Sequence, residues 1–115
     1  MRDDLANAIA AIDPALTPEM TEASRAVFAP LHEREPYRGI TLTRDLKYGP
    51  HSRNRLDVFA PADTTEKRPV LIYVHGGGFV GGDKHSPGSP YYDNIAVWAV
   101  RNGMVGVTIT YPLAP

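Results

Sequence analysis

The chain has no cysteine, which excludes a disulfide framework, a thiolate metal site and a cysteine nucleophile together. It also lacks a long apolar run: no stretch approaches the about eighteen apolar residues that mark a membrane-crossing helix. The start, Met1-Arg2-Asp3-Asp4, is acidic with no apolar core behind it, unlike a secretory leader. The expected location is cytoplasmic. Neither sign of charge dominates, with 12 Lys and Arg against 13 Asp and Glu, a net of −1. The basic residues are scattered, so there is no electrostatic case for nucleic acid or an anionic membrane. The 115 residues fit one domain, and a fold of that size buries roughly two-thirds of its unfolded surface.

The patterning that is present changes period along the chain. Residues 3–12 place Leu5, Ala8, Ile9 and Ile12 at helical spacing, ending at Asp13-Pro14. A second helix is predicted over 18–32, with Thr17 as cap, Pro18 in the first turn and an apolar face of Met20, Ala23, Val27, Phe28 and Leu31. From 40 the period becomes two: Ile40, Leu42 and Leu46 alternate with polar residues, interrupted at Arg44, and Leu56, Val58 and Ala60 alternate after a turn at 49–54. This pair reads as an antiparallel edge hairpin. Residues 62–69 form a polar loop.

Val70-Leu71-Ile72-Tyr73-Val74 reads as a strand buried on both faces. A glycine-rich loop follows to 89, then a helix over 90–102. Ser89-Pro90 would open that helix, with Tyr91, Ile95, Trp98 and Ala99 on its apolar face and Gly103 as the left-handed stop. Val105, Val107 and Ile109 form the next strand. Strand, helix and strand make a right-handed parallel crossover. The class is α/β.

The strand ends at His75-Gly76-Gly77-Gly78-Phe79. Consecutive glycines let backbone N–H groups turn toward one point and let a ligand approach closely. Two N–H groups aimed at one oxygen form an oxyanion hole. Taken alone, the three glycines serve a catalytic loop or a tight structural turn equally well. Gly76 to Gly81 also satisfies G-x-G-x-x-G, the dinucleotide fingerprint. That motif needs its helix to open within the glycines. Here Gly82, Pro87, Gly88 and Pro90 intervene, so the dinucleotide reading is rejected.

In these residues the chain resembles the serine hydrolases of the α/β-hydrolase fold, in the hormone-sensitive-lipase-like esterase branch, which carries His-Gly-Gly-Gly after its third strand. The resemblance implies that the N–H groups of Gly77 and Gly78 point at the substrate carbonyl oxygen. It implies that Gly76 permits the turn, and that His75 holds the loop rather than transferring protons. Thr110-Tyr111-Pro112-Leu113-Ala114-Pro115 is similar to the Tyr-Arg-Leu-Ala-Pro segment after the fourth strand, departing at Pro112, which offers neither a backbone donor nor a cation. Gly81-Gly82-Asp83 and Tyr91-Tyr92-Asp93-Asn94 also fit. The likeness covers residues 40–115, with a looser likeness of the amino-terminal helices to a cap. The implied architecture is a partial α/β-hydrolase fold (edge hairpin plus parallel strand–helix–strand unit) over 37–115, preceded by two cap-like helices within 1–36.

The nucleophile of this fold sits in Gly-x-Ser-x-Gly, followed by the acid and the histidine. None of Ser24, Ser52, Ser86 and Ser89 has the flanking glycines. His85 beside Ser86 reads as a solvated loop pair with no evident orienting acid. The triad is therefore expected beyond Pro115, and none of it in this chain. The expected activity of the complete enzyme is carboxylester hydrolysis by serine acyl transfer, on a small-molecule ester, with no metal and no cofactor. Members of this branch also cleave amides or formamides. Two other readings stand beside it. One is a non-catalytic half-fold that self-associates, or pairs with a second chain, through its open strand edge. The other is a loop that cradles phosphate.

Overall fold

The computed structural model describes residues 3–63 and 65–115. The chain divides into two compact units, one ending at His32 and one running from Glu33 to Pro115. The first holds helix α1 (Asp3–Ala10) and helix α2 (Pro18–Phe28), followed by a 3-10 turn at Ala29–Leu31. Thr17 caps α2, its hydroxyl oxygen accepting the N–H of Met20 at 3.1 Å. The second helix stops short of the expected 32 because Pro30 has no N–H to continue the ladder. The chain tightens instead, with the His32 N–H donating to the Ala29 carbonyl. Among the described residues neither helix has a fully buried side chain. A shallow apolar groove of about 390 Å³, lined by Ala8, Ile12, Met20, Ala23 and Val27 among others, runs between them.

The second unit is a four-stranded mixed sheet with one helix. Strands β1 (Ile40–Lys47) and β2 (Arg55–Pro61) form the antiparallel hairpin. Its turn is set by Asn54, whose side-chain oxygen accepts the His51 N–H at 2.9 Å. Strand β3 (Val70–Val74) leads through the glycine loop to helix α3 (Asp93–Arg101) and strand β4 (Val105–Ile109). The sheet order is β1-β2-β4-β3, with β4 antiparallel to β2 and parallel to β3.

The helix covers one sheet face. Gly106 is the point of closest approach, where an added Cβ would meet the backbone and Cβ of Ala96. Register places Phe59 opposite Gly106, and Leu71 opposite Gly106 on its other side, so these residues share the helix face. The core there consists of Tyr37, Phe59, Ala96, Val97 and Val100, with Ile40 and Leu42 packed against it.

The structure fixes the facing of β2, which the sequence left open, and corrects two expectations about the helix. On β2 the face turned to the helix carries Asp57 and Phe59, both fully buried, while Leu56, Val58 and Ala60 are half-buried. Trp98 is 55% exposed; α3 is rotated so that Ala96, Val97, Ala99 and Val100 face inward, because only small side chains fit over Gly106. Helix α3 opens at Asp93, not at Pro90. Residues 91 and 92 are held off the helix by backbone bonds to the loop, Tyr92 N–H to the Lys84 carbonyl and Ser86 N–H to the Tyr91 carbonyl. Ser89 instead accepts the Tyr91 N–H on its hydroxyl.

The other sheet face carries two apolar rows, Val58–Val107–Ile72 and Leu56–Ile109–Val74. Strand β3 is an edge, and Val70, Ile72 and Val74 are more than half exposed. The expected burial of that strand on both faces therefore gives way to burial on one. No helix among the described residues is long and apolar enough to cross a membrane.

Candidate active site

The glycine loop leaves β3 at Val74 and turns at once. His75 is buried, while Gly76, Gly77 and Gly78 are exposed. Three successive residues lie in positive-φ space: Gly77 at 133°, Gly78 at 63° and Phe79 at 62°. At Gly77 a side chain would run into the carbonyl of Gly81, and at Gly82 into the Gly76 carbonyl and the His75 ring. Close backbone approach, as well as φ, requires glycine at those two positions. A turn bond from the Val80 N–H to the Gly77 carbonyl closes the bend at 3.2 Å. Among the described residues, the N–H groups of Gly77 and Gly78 have no hydrogen-bond partner.

The buried His75 sits inside the bend. Its Nδ1 lies 2.7 Å from the Gly76 carbonyl oxygen. Its ring stacks on Tyr111, with centroids 4.5 Å apart, and the Tyr111 hydroxyl donates to the His75 carbonyl at 2.7 Å. The segment after β4 continues this support, with the Ala114 N–H donating to the Phe79 carbonyl at 2.7 Å. Pro112 takes no part in these bonds. The cation at this end of the loop is Arg53, from the β1–β2 turn, which donates to the Tyr111 and Gly82 carbonyls at 2.8 and 2.9 Å.

A second polar cluster lies under the start of α3. Asp93 is fully buried and accepts from the Tyr37 hydroxyl at 2.6 Å and from both guanidinium ends of Arg44 at 2.6–2.8 Å. Asp57, equally buried, accepts from Arg44, from Lys84 and from the Asp45 N–H. A bulge aims Arg44 inward: the β1–β2 register shifts between Thr43 and Leu46, with Asp45 at φ 58°. Burial, then the bond to Asp93, pushes the Tyr37 phenol well above its usual value. Burial works against the charge on Lys84, but its bonds to Asp45 and Asp57 outweigh it and the ammonium is raised. The bond from Lys84 likewise holds the Asp45 carboxyl below the usual carboxylate range.

His85 Nδ1 lies 3.3 Å from Asp93, an acid the sequence did not pair with it, but makes no hydrogen bond there. Glu35, His85 and Asp93 bring ligand atoms within 4.8 Å of one another. Both Asp93 oxygens already accept from Arg44, however, and a cation there would face the guanidinium at hydrogen-bond range. The grouping is an ion-pair network rather than a metal centre. A cleft of about 310 Å³ beside it is lined by Arg34, Glu35, Tyr37, His85 and Ser89 among others, and touches none of residues 75–78. Arg53, Arg44 and Asp57 were the contributors that motif reading did not single out, and Arg53 left no local signal. The available signals were an acid at 57 among apolar neighbours and the Arg44 interruption of an otherwise alternating strand.

The mixed sheet in the order β1-β2-β4-β3, with a glycine-rich turn between β3 and a crossover helix, is the fold of the α/β-hydrolase class, which its solved structural neighbours share. The chain belongs to the BD-FAE family, a family of esterase-type hydrolases, whose model matches residues 56–115, a little over half of it. Tuliposide A-converting enzyme b1, amyloplastic, of Tulipa gesneriana is 44% identical over 52 residues, which are 44% of this chain and 13% of that enzyme. Probable carboxylesterase 7 of Arabidopsis thaliana is 30% identical over 81 residues, 70% of this chain and 25% of that protein. Esterase B from Lactobacillus Rhamnosis (HN001) superposes with a TM-score of 0.60 at 20% identity, covering 99% of this chain and 34% of that structure. The chain therefore spans a minor part of the length of the proteins it matches.

Proposed function

We propose that this chain supplies the oxyanion-hole part of a carboxylester hydrolase that works by serine acyl transfer. The observation that carries the reading is the exposed Gly77-Gly78 turn, whose two N–H groups lack internal acceptors while the bend behind them is fixed by buried His75. A serine oxygen attacks the ester carbonyl carbon, and the carbonyl π electrons move onto oxygen. Gly77 and Gly78 donate to that oxyanion, a preorganised arrangement whose single donors are each worth about 10²–10³ in kcat in known cases. Collapse expels the alcohol with the proton that the base took from the serine, and water, giving its proton to the same base, then releases the acid from the acyl-enzyme and returns the serine. His75 holds the bend and takes no proton in this scheme. The serine, its base and the orienting acid come from residues other than these 115, so the 115-residue polypeptide by itself hydrolyses no ester at an enzymatic rate.

The test is to join these residues in frame to the Gly-x-Ser-x-Gly-bearing remainder of an esterase of this family and measure p-nitrophenyl acetate hydrolysis. The 115 residues alone are expected to be inactive and the joined protein active. Replacing the Gly78 amide by an ester through semisynthesis, which removes one donor while leaving the positive φ of 63° accessible, is expected to lower kcat by about 10²-fold. Full activity in that variant would overturn the role of the loop.

The open edge favours a second reading, compatible with the first. Among the described residues strand β3 has one neighbour and exposes Val70, Ile72 and Val74, so a further strand, from a second copy or from another chain, can add there. Recovery of a separate chain bearing Gly-x-Ser-x-Gly with this one would make the enzyme a two-chain assembly.

A further inference from the structure

Arg53 reaches the glycine loop at two points, and the segment after β4 at a third, from a turn far away in sequence. Its Nε donates to the Tyr111 carbonyl at 2.8 Å, and its Nη2 donates to the Gly82 carbonyl at 2.9 Å. The same Nη2 lies 3.4 Å from His75 Nε2. The turn that carries it is itself pinned, because the Thr110 hydroxyl donates to the Arg53 carbonyl at 2.7 Å. The guanidinium is thus clamped between the segment after β4 and the loop it faces.

The chemistry of these partners fixes a proton. Guanidinium N–H groups only donate, so the nitrogen of His75 that faces Arg53 must offer a lone pair. The Gly76 carbonyl only accepts, so Nδ1, 2.7 Å away, must carry the hydrogen. We infer that Arg53 is a positioning residue: it sets His75 in the Nδ1–H tautomer that clamps the Gly76 carbonyl, and it ties the far end of the bend at Gly82, so that the Gly77-Gly78 turn keeps one shape. Pro112 can offer neither of these bonds, and Arg53 supplies both from across the sheet. This rests on the oxyanion reading only for what the loop does. The tautomer and the rigidity are properties of the chain whether or not an ester is cleaved.

The experiment uses the ¹⁵N-labelled 115-residue chain at neutral pH. A long-range ¹H–¹⁵N spectrum of the His75 ring is expected to show Nδ1 protonated and Nε2 bare, and a protonated Nε2 would overturn the inference. In Arg53→Met the Nε2–H form is expected to become visible. Hydrogen exchange at the Val80 and Ala114 amides is expected to quicken about tenfold in that variant, while amides of the β1–β2 pairing keep their wild-type rates. Unchanged exchange at Val80 and Ala114 would sink the proposal. So would equal acceleration everywhere, which marks a merely structural arginine. Should Arg53→Met not fold, the wild-type spectrum together with exchange in Arg53→Gln decides. Ester hydrolysis by the joined protein tests the oxyanion reading separately, so the two can fail independently.

Discussion

The ring of His75 lies almost parallel to that of Tyr111, with planes 14° apart, and the Tyr111 hydroxyl bonds the His75 carbonyl. One residue thereby grips both the side chain and the backbone of the histidine at the root of the glycine turn. Tyr111→Phe keeps the stack and loses the bond. It is expected to cost about 1 kcal/mol, a typical net value for one hydrogen bond. A urea midpoint equal to wild type would show that water replaces the hydroxyl at no cost.

Gly77 and Gly78 are predicted to differ sharply in their tolerance of alanine. At Gly78 the added Cβ meets nothing within 4 Å, so Gly78→Ala costs only the left-handed backbone, about 1–2 kcal/mol. At Gly77 it meets the carbonyl of Gly81, which is backbone and cannot swing aside. The urea midpoint should fall further for Gly77→Ala, and equal midpoints would contradict the loop geometry.

Arg44→Met is predicted to be the most damaging single change in the second unit. It takes the guanidinium from Asp57 and Asp93, both fully buried. Removing one partner of a buried pair typically costs about 3–5 kcal/mol, because the remaining charge stays buried. A loss under 1 kcal/mol by chemical denaturation would mean that water enters the cluster.

Stability is predicted to plateau between mildly acidic and alkaline pH through Lys84. Asp45 is lowered, chiefly by its bond from Lys84. Its contribution is present above the unfolded value near about 4 and is lost as pH falls through the folded value. Lys84 is raised, so its contribution is present below the unfolded value near about 10.4 and is lost as pH rises through the folded value. Asp45→Asn should flatten the acid limb and Lys84→Met the alkaline limb of midpoint against pH. Unchanged limbs in both would count against the pairing.

The exposed side of β3 is predicted to drive self-association. Ile72 is 60% exposed, so Ile72→Lys should change stability by no more than about 0.5 kcal/mol while shifting the chain toward monomer in analytical ultracentrifugation. A wild-type chain that sediments as a sharp monomer would refute this.

The strands and the parallel crossover were legible because alternation, Gly103 and the run at 70–74 are local signals. Which face of β2 turns inward was not legible. Leu56, Val58 and Ala60 look like a core stripe, but the helix lies on the side of Phe59, and Asp57 can be buried there only because Arg44 and Lys84 meet it. Trp98 misled for a related reason: bulk suggests burial, yet the contact over Gly106 admits only small residues. His75 to Gly78 stood out as a contiguous motif. Arg53 did not, since its partner Tyr111 is 58 residues away and such pairings leave no trace in a short window.

The position of β4 between β2 and β3 has a consequence in time. Strand β3 pairs with β4 and with no other strand among the described residues, so it has no partner until residues 105–109 have left the ribosome. At about 5–20 residues per second, the apolar run at 70–74 waits for seconds beside a finished hairpin it cannot join. Synthesis of this chain therefore passes through a sticky interval, which a holding chaperone would shorten in effect and a pause in translation between residues 75 and 104 would lengthen.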